Sequence, residues 1–233
     1  MLNYTKKAVL FDLDHTLWDF EKNARETLQE LYFEYQFDRI FAHGQVDLFI
    51  DTYNRINHEL WDQYHRGQID KNYLRHRRFR DTFVELGADP EAFPDQFEID
   101  YLEICPKKPH LFPYAIEVLE YLKGRYSVHL ISNGFSEACK TKLESSGLKN
   151  YFRNVVISEE VGVLKPDPKI FRYTLEKAGV DSEHAVMIGD NLVADVMGAR
   201  NAGIEAVYFN PHRRENPEKC PEIECLSELK IFL

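Results

Sequence analysis

The chain has 233 residues, 44% of them apolar and 29% charged, and carries a net charge of −10 at neutral pH. That length holds one large domain or a core with a smaller insert, and the composition is that of an ordinary folded domain. The acidic balance excludes a general binder of nucleic acid or anionic membrane, since both partners are polyanions.

In chain order, AVLFDL (8–13) reads as a buried strand that ends in two carboxylates, Asp12 and Asp14. The interval 18–108 contains no convincing strand. It breaks into helical lengths near 22–36, 45–65, 70–86 and 91–104, with a turn at GADPEAFPD and a return linker at CPKKPHLFP. Then PYAIEVLEYLK reads as a helix from Pro113, followed by strands VHLIS (128–132) and VVIS (155–158). DPKIFRYTLEKAG supplies Asp167 as N-cap, Pro168 at the first helical position and Gly179 as the stop. After the strand AVMIG (185–189), NLVADVMGARNAG repeats that logic with Asn191 and Gly203. EAVYF (205–209) is the fifth strand. Short β-branched runs without alternation are strands covered on both faces, so an α/β protein with an open parallel sheet is expected. The expected division is a core of residues 1–17 and 109–233 with an all-helical insert at 18–108.

No apolar run of about 18 residues occurs, and MLNYTKKAVLFDLD lacks the layout of a signal peptide, so a cytoplasmic protein is expected. Cys105, Cys139, Cys220 and Cys225 are scattered, and CPEIEC has the wrong spacing for a CxxC motif, so free thiols are expected.

Ligands of open α/β sheets bind beyond the carboxyl ends of the strands. The polar residues there are Asp12, Asp14 and Thr16, then Ser132, Asn133 and Gly134, then Lys165 in LKPDP, then Asp190 and Asp195. Clustered carboxylates repel one another, and an oxygen-only ligand set favours magnesium. Ser132 and Lys165 suit the oxygens of a phosphate group. Asp12 is the candidate nucleophile, and Asp14 can protonate the leaving oxygen and later take a proton from water.

FDLDHT, ISN, KPDP and GDNLVAD, in that order, resemble the four motifs of the haloacid dehalogenase superfamily of phosphohydrolases. The resemblance spans the chain and implies a Rossmann-like core, strand 1 central, with a helical cap inserted after the first motif. ISNGF, VISEEVGVLKPDPKIF and HRRENPE are similar to the bacterial pyrimidine 5′-nucleotidase branch. The resemblance implies an aspartyl-phosphate on Asp12 and acid/base work by Asp14. It implies magnesium held by Asp12, the Asp14 backbone carbonyl and Asp190, with Asp195 supporting that site and Thr16 beside it. Ser132, Asn133 and Lys165 are the implied phosphate contacts. The expected substrate is a small phosphate monoester, a pyrimidine nucleoside monophosphate above others, turned over by a monomer or weak homo-oligomer with no nucleic acid polymer or membrane as partner. A phosphomutase, a phosphatase of sugar or small acid phosphates, and an inactive metal- and phosphate-binding protein are the alternatives.

Each signal has a plainer reading. DxDxT alone is a turn, KPDP a helix start, and Asp195 a first-turn aspartate favoured by the helix dipole. Four motifs in order on strand ends outweigh those readings. In the insert, RHRRFR (75–80) reads first as a solvated helix face, and Tyr53, Trp61, Tyr64 and Tyr73 as core aromatics. Trp18 and Phe20, in the linker leaving the site, are the preferred pair for stacking on a base. His212, Arg213 and Arg214 are assigned to a surface loop.

Overall fold

The computed structural model describes residues 6–41 and 46–233, and these divide into two compact units. One comprises the described residues up to Phe20 with Pro109–Leu233, and the other is Glu21–Lys108. Among the described residues no helix is long and apolar enough to cross a membrane.

The first unit is built on a parallel sheet of β1 (Ala8–Phe11), β2 (Ser127–Ser132), β3 (Asn154–Ile157), β4 (Ala185–Gly189), β5 (Glu205–Phe209) and β6 (Glu222–Ile223). Its order is β3-β2-β1-β4-β5-β6, so β1 is central, in register with β2 through Leu10↔His129 and with β4 through Leu10↔Met187. All residues of β1 and β4 are buried, which accounts for their unbroken apolar sequences. Leu10, Ile131, Val156 and Met187 form one core with Ile170 and Phe171 of the helix Pro168–Ala178. Burying each such side chain contributes roughly 1.5–3 kcal/mol.

β1 stops at Phe11, two residues short of the sequence reading. The Asp12 N–H still reaches the Ile188 carbonyl at 3.0 Å, but the chain then turns. The Leu13 carbonyl accepts from the N–H groups of Thr16, Leu17 and Trp18, and His15 takes a φ of 62°. That turn presents Asp12 and Asp14 at the strand's carboxyl end. The helix expected from Pro113 starts at Ala115, because Tyr114 before it is left-handed at φ 68°. Pro168–Ala178 has the caps its sequence announces: Asp167 accepts from the Lys169 N–H, and Gly179 ends it at φ 71°. After β4, Asn191 caps as expected, accepting from Val193 and Ala194, but Leu192–Met197 forms a π-helical turn before Gly198–Asn201 continues as α-helix. All four cysteines are free thiols.

One buried polar group has a consequence for stability. His129 on β2 is fully buried. Its Nδ1 accepts from the Asn154 side-chain amide at 3.0 Å, so the proton sits on Nε2, which has no partner. Burial, with the nearby charge of Arg153, lowers its pKa to about 4 from an ordinary 6.5. The unfolded chain therefore binds a proton that the folded one refuses between those values, and stability is lost as pH falls through that window. We expect His129→Leu to gain stability relative to the wild type when pH drops from 7.5 to 5. Urea midpoints at both pH values check this, and an unchanged difference contradicts it.

The second unit carries the helices Val46–His65, Lys71–Glu85 and Asp95–Ile104 and, from Glu21 on, the helix Phe20–Glu34. Its core is aromatic: the Phe37 ring stacks on Phe97 at 5.2 Å and meets Phe83 edge-on at 5.2 Å. Tyr53 is buried against Phe79 at 5.0 Å, Trp61 meets Tyr64 edge-on, and Tyr73 is exposed. RHRRFR does not form one face. Arg77 pairs with Asp81 and Arg80 with Asp95 at the surface, while Arg78 is buried, donating to Asn57 at 3.5 Å and lying over the rings of Phe79 and Tyr101.

Candidate active site

The carboxyl ends of β1, β2 and β4 lie side by side because these strands are neighbours in the sheet. Their register therefore brings Asp12, Ser132 and Asp190 onto one edge from distant parts of the chain. Lys165 lies in the loop Gly162–Asp167 and reaches into this edge. Its Nζ donates to Asp12 Oδ1 at 2.6 Å, to Asp195 Oδ1 at 2.6 Å and to the Ile131 carbonyl at 2.9 Å. Its side chain is 2% exposed, so these three acceptors complete an ammonium that burial would otherwise disfavour.

Two residues hold Lys165 and Asp190 in place. Asn133 donates from its amide nitrogen to the Lys165 carbonyl at 2.9 Å and accepts the Lys165 N–H at 2.8 Å. Its side chain thus clamps the lysine backbone. Thr16 accepts the Asp190 N–H at 3.1 Å and donates to Asp190 Oδ1 at 3.3 Å. Ser132 Oγ accepts the Gly134 N–H at 3.0 Å, which points the hydroxyl into the turn after β2.

Asp12, Asp190 and Asp195 each offer an oxygen within 4.8 Å of the others. Burial first, then repulsion from Asp195 and Asp14, overcomes the attraction of Lys165 and raises Asp12 to about 7. Asp190 is pushed well above the carboxylate range, by burial first and then by Asp12 and Asp195. For Lys165 burial acts the other way, but Asp12 and Asp195 outweigh it and hold the ammonium charged. One buried cation facing three carboxylates leaves an excess of negative charge. An oxygen-only cluster of this kind fits a hard divalent cation such as magnesium. Both Asp195 oxygens are engaged, Oδ1 by Lys165 and Oδ2 by the Asn191 N–H at 3.0 Å. Asp12 and Asp190 are accordingly the better placed to ligate, with Asp195 in support.

The π-helical turn has its reason here. It seats the Asp195 side chain against Gly189, where an added Cβ would stand 2.3 Å from Asp195 Oδ2. Only a glycine at the end of β4 admits that carboxylate.

Asp14 is held from a direction that the sequence motifs do not reveal. Lys142, on the helix Ser136–Ser145, places its Nζ 2.6 Å from Asp14 Oδ1. The same ammonium lies over the Trp18 ring at 4.3 Å and the Phe20 ring at 5.5 Å. Trp18 is fully buried, so it offers a base no exposed face; Phe20 is half-buried beside His15, at 5.0 Å. The helix holding Lys142 buries Cys139 and Leu143, and a lysine on that buried face was the available signal. Burial pushes the Cys139 thiol up to about 11, which disfavours its thiolate. Arg213 pairs with Glu224 at the surface and touches none of these groups.

Comparison with known proteins agrees with this geometry. A family model described as a haloacid dehalogenase-like hydrolase matches residues 6–203. The chain is 36% identical over 211 residues to the pyrimidine 5′-nucleotidase YjjG of Escherichia coli (strain K12), covering 90% of this chain and 88% of that protein. It is 34% identical over 215 residues to the pyrimidine 5′-nucleotidase PynA of Streptococcus pneumoniae (strain ATCC BAA-255 / R6), covering 90% and 86%. Among solved structures, the HAD-hydrolase YfnB from Bacillus subtilis bound to magnesium superposes with a TM-score of 0.84 at 27% identity, over 98% of each chain.

Proposed function

Since the chain belongs to the haloacid dehalogenase-like hydrolases and is a phosphoric monoester hydrolase, we propose that it is a magnesium-dependent 5′-nucleotidase of pyrimidine nucleoside monophosphates. The observation that carries the substrate class is the 36% identity to a pyrimidine 5′-nucleotidase across 90% of the chain. The intact constellation Asp12, Asp14, Lys165 and Asp190 supports catalysis over an idle binding protein.

Magnesium held by Asp12, the Asp14 carbonyl and Asp190 would supply positive charge to the phosphoryl oxygens. Lys165, exchanging one of its three present acceptors for a phosphate oxygen, and the Ser132 hydroxyl bind the remaining oxygens and keep the dianion in line with Asp12. An Asp12 oxygen attacks phosphorus, and the bond to the nucleoside oxygen breaks with its electron pair staying on that oxygen. Asp14 delivers the proton that this oxygen needs. In the second half, Asp14 removes a proton from water as the water attacks phosphorus, and the Asp12 carboxylate leaves. The adjacency of Lys165 at 2.6 Å favours the ionised Asp12 that both halves require.

A phosphate-release comparison with magnesium tests the substrate class. We expect kcat/KM for uridine or thymidine monophosphate to exceed that for adenosine monophosphate by at least about tenfold, the scale of a few contacts to a base. Sugar phosphates and phosphoserine should be slower still. A preference for either, or dependence on a bisphosphate activator, overturns the assignment.

A further inference from the structure

Lys142 has 8% of its side chain exposed and lies on a helix face with Cys139 and Leu143. An ammonium so placed is costly unless its charge is met. It is met here by the Asp14 carboxylate and by the Trp18 and Phe20 rings. The platform beneath it is fixed in turn, because the Trp18 backbone bridges to Asp14 on one side and to Leu111 on the other.

We propose that Lys142 is a positioning residue for Asp14, an inference that rests on the reading of Asp14 as the acid of the proposed reaction. With Oδ1 pinned to Lys142, the carboxyl group cannot rotate about its last bond without breaking the ion pair. When Asp14 takes up a proton from solvent, which reaches its quarter-exposed side chain, Oδ2 is the oxygen left to hold it and to deliver it to the leaving oxygen as the phosphorus–oxygen bond breaks. Trp18 acts at one remove: it seats the ammonium and thereby orients the acid. Charge neutralisation alone would ask less, because Asp14 is a quarter exposed and solvent can reach it. What the ion pair adds is a single orientation, and misplacing a catalytic group by about 1 Å can cost 100-fold in rate.

The test uses the purified full chain with magnesium and measures the single-turnover burst for phenyl phosphate and for p-nitrophenyl phosphate. The first has the poorer leaving group and depends more on an acid. Lys142→Met keeps the apolar stem on Trp18 and removes the charge, and Lys142→Arg restores it. We expect Lys142→Met to slow the phenyl ester about 10- to 100-fold and the activated ester only a few-fold, with KM little changed. Lys142→Arg should recover most of the loss, and in an Asp14→Asn background Lys142→Met should add no further selective loss. Melting temperatures confirm that each variant is folded. If Asp14→Asn itself shows no leaving-group selectivity, the acid assignment falls and takes the proposal with it. If Asp14→Asn is selective while Lys142→Met slows both esters equally, or arginine fails to rescue, only the proposal falls.

Discussion

Asp12→Asn should lower turnover by at least about four orders of magnitude and leave the protein folded. The amide has no anionic oxygen to attack phosphorus, and it weakens the cation site that Asp12 would share with Asp190. Its effect on stability runs the opposite way. Folding raises Asp12 from 3.8 to about 7, burial being the largest cause, so ionising it costs stability progressively as pH rises through that window. At pH 8 the whole cost is present in the metal-free protein. Asparagine removes it, while its side-chain oxygen can still accept from Lys165. The metal-free variant should therefore melt no lower than the wild type at pH 8, and its advantage should shrink toward pH 5. Activity retained by the variant contradicts the assignment of the nucleophile. A metal-free variant that melts well below the wild type contradicts the electrostatic account.

Lys165→Met carries the second large effect. It leaves Asp12, Asp190 and Asp195 clustered within 4.8 Å with no buried cation among them, and it takes a donor from the Ile131 carbonyl. Removing one partner from a buried ion pair typically destabilises by about 3–5 kcal/mol. A metal-free loss of about that size is expected, and added magnesium should recover part of it by supplying the missing charge. Turnover should fall with it, since the same ammonium is the proposed phosphate contact. Urea unfolding with and without magnesium measures both effects. A wild-type midpoint in the absence of metal would show that Lys165 does not hold the cluster together.

Much of this site was legible from residues alone, for a physical reason. A parallel sheet gathers its functional groups at strand ends, and the chemistry there restricts residue types. Asp12, Asp14, Ser132, Lys165 and Asp190 could thus be read from four short motifs. The five longer strands were legible because burial on both faces leaves an unbroken apolar run. β6, two residues long, has too little sequence to announce itself. Other features depend on tertiary neighbours. The π-turn at Leu192–Met197 arises where Asp195 fits against Gly189, and helical caps look the same for either helix type. Lys142 belongs to SEACKTKLES, a polar segment that carries none of the four motifs; its place on the face of Cys139 and Leu143 marks it as buried, and its role shows only with the Asp14 carboxylate beside it. Arg78 was masked by its basic neighbours, although Leu74, Arg78 and Thr82 recur every four residues and all three are buried. Trp18 lies under the Lys142 ammonium rather than exposed to a base.

The central claim is that phosphate passes through a covalent bond to Asp12. Acyl phosphates are reduced by borohydride to the alcohol, so quenching the enzyme during turnover into borohydride should convert residue 12 to homoserine. Peptide mass spectrometry of the wild-type protein should find that conversion at Asp12 only when substrate and magnesium are both present. Full turnover with residue 12 unmodified, or with another carboxylate reduced in its place, would contradict the account.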